Sequence, residues 1–419
     1  MIFENYHISD ILKKNLAEQG LKRPTDIQFK AIPSILKGED VMAIAQTGTG
    51  KTLAFAIPVI HMIIQAKTTR RQKGIYAIVM VPTRELAAQI HGVFSSLCKN
   101  TKVITLGVYG GVEQESQINK LQTGVDILIA TPGRMFDLIS QKAIDASNVR
   151  ILVLDEADQM LDRGFIYDIQ SIKRHLKQRH QTLFFSATIN KEIKKLAFSQ
   201  VKSSAIRIQI SPNDPVSKNI SHYVIDVEMD DKRFFLRSFI RDHKDSKIIV
   251  FVRTTIRADR VAKSLERAQI SSLTIHGKKD QDHRLAVMNA FKSGAQNILI
   301  ATDVSARGID IPNVDYVINY DLPDQKEVYV HRVGRTGRGR SKGSAISFCS
   351  SGEINLLKEI ENFITKPIEK IKISKSDYSF TVEVSDSHQD IHDMINANED
   401  WIKNRGKKRS NRKIKPKSS

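Results

Sequence analysis

The stretch VMAIAQTGTGKT, Val41 to Thr52, decides how the rest of the chain is read. Its first five residues are apolar, as a strand covered on both faces requires. Small residues with Gly48 and Gly50 follow, and Lys51 and Thr52 open a helical stretch. Strand, tight glycine loop and helix start in that order read as a P-loop. Its backbone N–H groups wrap phosphate oxygens, and the helix N-terminus adds the positive end of its dipole. Gln46, Thr47, Gly48, Thr49 and Gly50 then form the cradle, Lys51 reaches the β- and γ-phosphates, and the Thr52 hydroxyl ligates Mg²⁺. The strict pattern begins with Gly where Ala45 stands, and a chance glycine turn is the competing reading.

A nucleotide site also needs an acid at the end of another strand. ILVLDEAD (151–158) supplies it about 100 residues downstream. Asp155 is placed to hold Mg²⁺ through water, and Glu156 to orient or deprotonate the attacking water. Acids after a strand also cap helices, but the upstream loop turns the balance to an Mg-ATP site. Phosphoryl transfer further asks for positive charge on the γ-phosphate. HRVGRTGRGR (331–340) offers Arg332, Arg335, Arg338 and Arg340. Arg335 and Arg338, three apart, can face one ligand across a cleft. The run alone reads equally as an RNA patch or a solvated loop.

The strand–helix alternation occurs twice. Candidate strands are 41–45, 75–81, 103–108, 126–130, 151–154, 182–186 and 205–210, then 222–227, 247–252, 272–275, 297–301, 315–319 and 344–348. Near-continuous apolar strands alternating with helices predict parallel α/β sheets with right-handed crossovers. Two domains follow, over 1–210 and 220–373, joined by the polar linker SPNDPVSKN (211–219). Residues 374–419 read as a charged, disordered tail. Asp377 to Asp400 holds seven acids and no Lys or Arg, and Trp401 to Ser419 holds nine Lys or Arg and no acid.

With 419 residues the chain is long enough for two or three domains. No run approaches the ~18 apolar residues of a membrane span, and the N-terminus lacks a signal-peptide pattern. Cys98 and Cys349, the two cysteines, exclude a disulfide scaffold and fit a reducing cytoplasm. The net charge is +19, of which +10 remains on residues 1–400 once the nine positive charges of the tail are removed. A basic body points to a polyanionic partner, most often nucleic acid.

Taken together, the chain resembles the DEAD-box ATP-dependent RNA helicases of superfamily 2, with two RecA-like domains, over about residues 3–373. The resemblance rests on a series of strings in the family's order. GLKRPTDIQ (20–28) is similar to the Q motif; it implies that Gln28 reads the adenine edge and that Phe3 stacks on the ring. Motif I is 45–52 and motif II is Asp155-Glu156-Ala157-Asp158. Ser186-Ala187-Thr188 is motif III, which in the family bonds to motif II. PTRELAAQ (82–89), Gly110-Gly111 and TPGR (131–134) match RNA-contacting motifs, implying roles for Pro82, Thr83, Arg84, Gly111, Thr131, Gly133 and Arg134. VFVRT (250–254), Gln281-x-x-Arg284, ATDVSARGID (301–310) and HRVGRTGR match the motifs of the second domain. They imply RNA contacts at Arg253, Thr254 and Thr302, a ribose-side role for Gly308 and Asp310, and a finger role for Arg335 and Arg338. Among bacterial members the body is most similar to the RhlE group. Gln159 departs from the commoner pattern, in which Arg follows the DEAD tetrad, and Ile309 stands where Leu is commoner.

The resemblance implies RNA-stimulated ATP hydrolysis coupled to local, non-processive unwinding of RNA or remodelling of its protein complexes. Ribosome assembly or RNA decay is the implied setting. It also implies a monomer that binds single-stranded or short duplex RNA without reading sequence, through phosphate and the 2′-OH. A clamp or annealing chaperone driven by the basic tail is the alternative, and a DNA translocase is a weaker one.

Overall fold

The computed structural model describes residues 2–45, 48–68, 74–210, 216–303, 314–337 and 341–386. Two seven-stranded sheets organise it. The first contains β1 (Val41–Ile44), β2 (Ala77–Met80), β3 (Thr105–Val108), β4 (Ile127–Ala130), β5 (Ile151–Leu154), β6 (Gln181–Ser186) and β7 (Ile206–Gln209). The second contains β8 (Ile220–Asp226), β9 (Ile248–Val252), β10 (Leu273–Ile275), β11 (Ile298–Thr302), β12 (Tyr316–Asn319), β13 (Gly343–Cys349) and β14 (Glu369–Lys370). The spatial orders are 3-4-2-5-6-1-7 and 10-11-9-12-13-8-14. Adding seven to each number of the first order gives the second, so one topology is used twice. Every described pairing is parallel.

Side-chain alternation packs both faces of the first sheet. Val41 and Ala43 enter one apolar cluster with Phe55, Phe94 and Phe185, while Met42 enters the opposite cluster with Ile78, Met80 and Phe184. The central strands are buried throughout, and the edge strands β3 and β7 alternate between buried and accessible positions. All thirteen expected strands are present with ends moved by at most two residues. No helix among the described residues is long and apolar enough to cross a membrane.

The second core extends past the expected end at residue 373. Strand β14 pairs beside β8, and the helix Lys375–Asp386 packs on the helix Lys232–Asp242. Tyr378 anchors that helix. Its ring lies 4.9 Å from Phe235, its hydroxyl donates to Asp231 Oδ2 (2.7 Å) and accepts from Glu228 N (3.2 Å). Tyr378 and Val382, four apart, lean on the second core from one face, but that short apolar signal is outweighed in the sequence by the exposed charges of Lys375, Asp377 and Glu383. The basic run 401–419 and the linker residues 211–215 lie outside the described residues. Tyr378→Ala is expected to destabilise the second domain by about 2 kcal/mol, below the ~3–5 of a fully buried aromatic. Tyr378→Phe is expected to cost about 1 kcal/mol. Urea unfolding of the full chain reads both, and unchanged midpoints would remove this helix from the second core.

Candidate active site and nucleic-acid interface

Parallel strands end on one edge, which gathers the motifs. β6 lies between β1 and β5, so the glycine loop after β1, Ser186 at the end of β6 and Asp155 after β5 are neighbours. Glu156 has φ 53° and ψ 47°, the left-handed region, where a non-glycine residue stores of order 1–3 kcal/mol of strain. It caps the helix Ala157–Asp162 with its backbone alone; its N–H instead donates to Asp155 Oδ1 (2.9 Å). The carboxylate is thereby released toward Lys51, whose Nζ is 3.6 Å from Oε1.

Lys51, Asp155 and Glu156 are all at least nine-tenths buried. Burial pushes the Glu156 carboxyl up, yet Lys51, His331, Arg335 and a hydrogen bond from Gln159 together pull it below the ordinary carboxylate range. Asp155 moves the other way. Burial and the neighbouring Glu156 charge outweigh the attraction of Lys51 and raise it to about 7. Among the described residues Lys51 Nζ has no hydrogen-bond acceptor, which is costly for a buried ammonium.

The tetrad's last member ties three motifs together. Asp158 Oδ2 accepts from Thr188 N (3.0 Å) and Thr188 Oγ1 (2.9 Å), and Ser186 Oγ donates to Thr188 O (2.8 Å). His331 Nε2, from the second sheet's side, lies 3.7 Å from the same oxygen. Arg335 is buried, with Nε donating to His331 O (3.1 Å), and its charge acts on Glu156. Arg332 has a different task. It forks onto Asp303 and donates to Asp321 O (2.7 Å), holding the ends of β11 and β12 together. Gln46, Thr47, Gly308, Asp310 and Arg338 lie outside the described residues.

Of the two residues expected on the adenine side, Gln28 reaches the loop and Phe3 packs in the first core. Thr25 and Gln28 form a capping box on the helix Asp26–Leu36, with Thr25 N donating to Gln28 Oε1 (3.0 Å). Gln28 Nε2 donates to Gly50 O (3.0 Å), so this amide also braces the phosphate loop. Gly50 has φ 93°, and a Cβ there would overlap Gln28 Nε2. Phe3 is buried in the first core at 5.9 Å from Tyr6, and its N–H donates to Lys22 O (3.1 Å).

The expected RNA residues start helices on the same edge. Thr83 follows Pro82 and accepts from Leu86 N (3.2 Å); Thr131 precedes the helix Pro132–Ser140; Thr254 accepts from Arg257 N (3.2 Å). Each hydroxyl oxygen caps or flanks a helix N-terminus, an arrangement that receives phosphate. Arg84 packs over Gly110, where a Cβ would sit 3.1 Å from its Nη2. Gly111 turns with φ 77°, Gly133 is exposed, and both Arg134 Nη atoms donate to Val112 O (3.4 Å). Thr302, at the end of β11, is buried. Arg253 is more engaged than expected, bonding Leu322 O (3.0 Å) and Glu353 Oε1 (3.2 Å) and pairing with Asp324 (3.2 Å). Glu353 binds Lys232 and Ser350 as well, a buried hub that no motif announced. Glu85 and Arg284 form a 2.7 Å ion pair between the first and second halves, both side chains nearly inaccessible. Both were inside quoted strings; the pairing needs the tertiary fold.

These features define a two-domain, nucleotide-driven enzyme of the helicase kind. The family DEAD/DEAH box helicase matches residues 25–196, and Helicase conserved C-terminal domain matches 231–340. ATP-dependent RNA helicase CshA of Limosilactobacillus reuteri is 37% identical over 94% of this chain and 78% of its own. ATP-dependent RNA helicase DeaD of Buchnera aphidicola is 38% identical over 90% of this chain; the chain spans 62% of that relative's length. Among solved structures, S. cerevisiae Dbp5 bound to RNA and ADP BeF3 superposes with TM-score 0.81 at 30% identity, covering 91% of this chain and 98% of Dbp5. The chain belongs to the DEAD-box ATP-dependent RNA helicases. Arg284→Glu is expected to weaken RNA-stimulated hydrolysis at least about tenfold at subsaturating RNA, since truncating one partner of a buried pair costs ~2–5 kcal/mol. The swap Glu85→Arg with Arg284→Glu should recover most of it; a titration of activity against RNA reads both, and a swap no better than the single change would contradict the pairing.

Proposed function

We propose that this chain hydrolyses ATP when RNA is bound and uses the closing of its two sheets to part short RNA duplexes without reading their sequence. One observation carries the reading: the buried Lys51 ammonium, without a hydrogen-bond acceptor among the described residues, facing Glu156, with His331 and Arg335 arriving from the other half. Such a cation fits a β/γ-phosphate group, and it would exchange Glu156 for the phosphate oxygens on binding. The buried Asp155 carboxyl and the Thr52 hydroxyl offer oxygen donors suited to Mg²⁺, which would neutralise developing phosphate charge. Glu156 then takes a proton from the attacking water, and Arg335 supplies positive charge to the transferred group.

RNA phosphates dock on the helix starts at Thr83, Thr131 and Thr254. Closure is favoured by the Glu85–Arg284 and Asp158–His331 contacts, which span the halves. The arrangement agrees better with Dbp5 bound to RNA and ADP BeF3, TM-score 0.81, than with a Dbp5 variant bound to Nup159, a Gle1 variant, IP6 and ADP, at 0.61. Two buried free cysteines favour a reducing, cytoplasmic setting.

The reading is tested by steady-state hydrolysis with RNA, matched DNA or no nucleic acid, and with GTP replacing ATP. Strong stimulation by RNA alone, with ATP preferred, is expected; hydrolysis unmoved by RNA would favour a clamp. Glu156→Gln is expected to bind ATP and RNA normally while turnover falls about 10²–10⁴-fold, the usual worth of a general base. Ordinary turnover in that variant would remove Glu156 from the role.

A further inference from the structure

Gln159 is fully buried in the first turn of the helix Ala157–Asp162, where a polar side chain needs a reason to be. Its Nε2 donates to Glu156 Oε2. The amide orientation is settled by its partner, since an ionised carboxylate can only accept. The Gln159 Oε1 accepts nothing among the described residues, so the donor is the half of this amide that is used.

The local backbone explains why the bond exists. In a capping box the side chain three residues into a helix reaches back to the cap residue's N–H. Here Glu156 N–H is already spent on Asp155 Oδ1 (2.9 Å), and the left-handed turn at Glu156 swings its carboxylate over the helix start. Gln159, one turn along and on the same face, meets the carboxylate instead. The torsion that rotates a carboxylate is broad and weakly restrained by itself. Gln159 therefore fixes one oxygen, and the other, Oε1, is left facing the Lys51 side of the site.

We propose that Gln159 is a positioning residue for Glu156: the amide at the site following the DEAD tetrad sets the rotation of the carboxylate so that its free oxygen meets the attacking water. An uncharged donor does this without adding a further cation to a site that already holds Lys51 and Arg335. The proposal rests on Glu156 serving the water, and its test separates the two statements.

The full chain is compared as wild type, Gln159→Met, Glu156→Gln and the double variant, reading RNA-stimulated hydrolysis and thermal unfolding. Gln159→Met keeps the length of the side chain and removes the donor. Its kcat is expected to fall about 10- to 100-fold, as for a misplaced catalytic group, with KM for ATP and the half-maximal RNA concentration held within about twofold. In the Glu156→Gln background the same change is expected to alter the residual rate less than about twofold, because residues acting as a unit are not additive. Should Gln159→Met unfold, Gln159→Ser, polar but too short to reach, takes its place. Unchanged kcat, a loss appearing mainly in KM, or an equal loss in both backgrounds would overturn the proposal. Slow Glu156→Gln with an unimpaired Gln159→Met would overturn it alone, whereas ordinary turnover in Glu156→Gln would overturn it together with the role of Glu156.

Discussion

Lys51 and Glu156 lie 3.6 Å apart in the interior, and their charges have few other places to go. Removing two ions from water costs more than their attraction returns unless further partners complete the site. Gln159 supplies one partner to Glu156, and the positive charge of Arg335 supplies another from the second half. Among the described residues Lys51 Nζ meets no hydrogen-bond acceptor, so the pair calls for an anion beside Lys51 and for charge from the second half beside Glu156. Nucleotide binding and domain closure are linked by that single electrostatic requirement.

The duplicated topology makes the requirement easy to meet. In both sheets the functional residues sit after the C-terminal ends of parallel strands, where helix starts and turns carry unsatisfied N–H groups. Bringing two such edges together creates one cleft with phosphate-binding elements on each wall. Asp158 shows how the walls communicate. One of its oxygens receives Thr188 from its own sheet and faces His331 from the other, so the tetrad, the Ser186-Ala187-Thr188 segment and the second domain share a single acceptor.

Residues whose role is local were legible from the chain. The glycine loop, the acids after β5 and the thirteen apolar strands each carry their signal within a few neighbours. What depends on distant partners was not. Glu85 and Arg284 stand 199 positions apart and meet only in the folded chain. Glu353 collects Lys232, Arg253 and Ser350 from separate elements, and Arg253, expected to touch RNA, is bonded into that hub. Gln28 braces Gly50 besides facing the expected adenine side, a contact visible only once the helix Asp26–Leu36 is set against the loop. The helix Lys375–Asp386 was hidden for the opposite reason: its acidic composition resembles a solvated segment, while Tyr378 and Val382 seat it on the core.

If the two halves complete one site together, closure needs both nucleotide and RNA. The direct measurement is the distance between two fluorescent labels, one on an exposed position of each half, in single molecules of the full chain. The account predicts a short-distance population that dominates only when a non-hydrolysable ATP analogue and RNA are present together, and that is lost in Arg284→Glu. A short distance that persists with either ligand alone, or with neither, would contradict it.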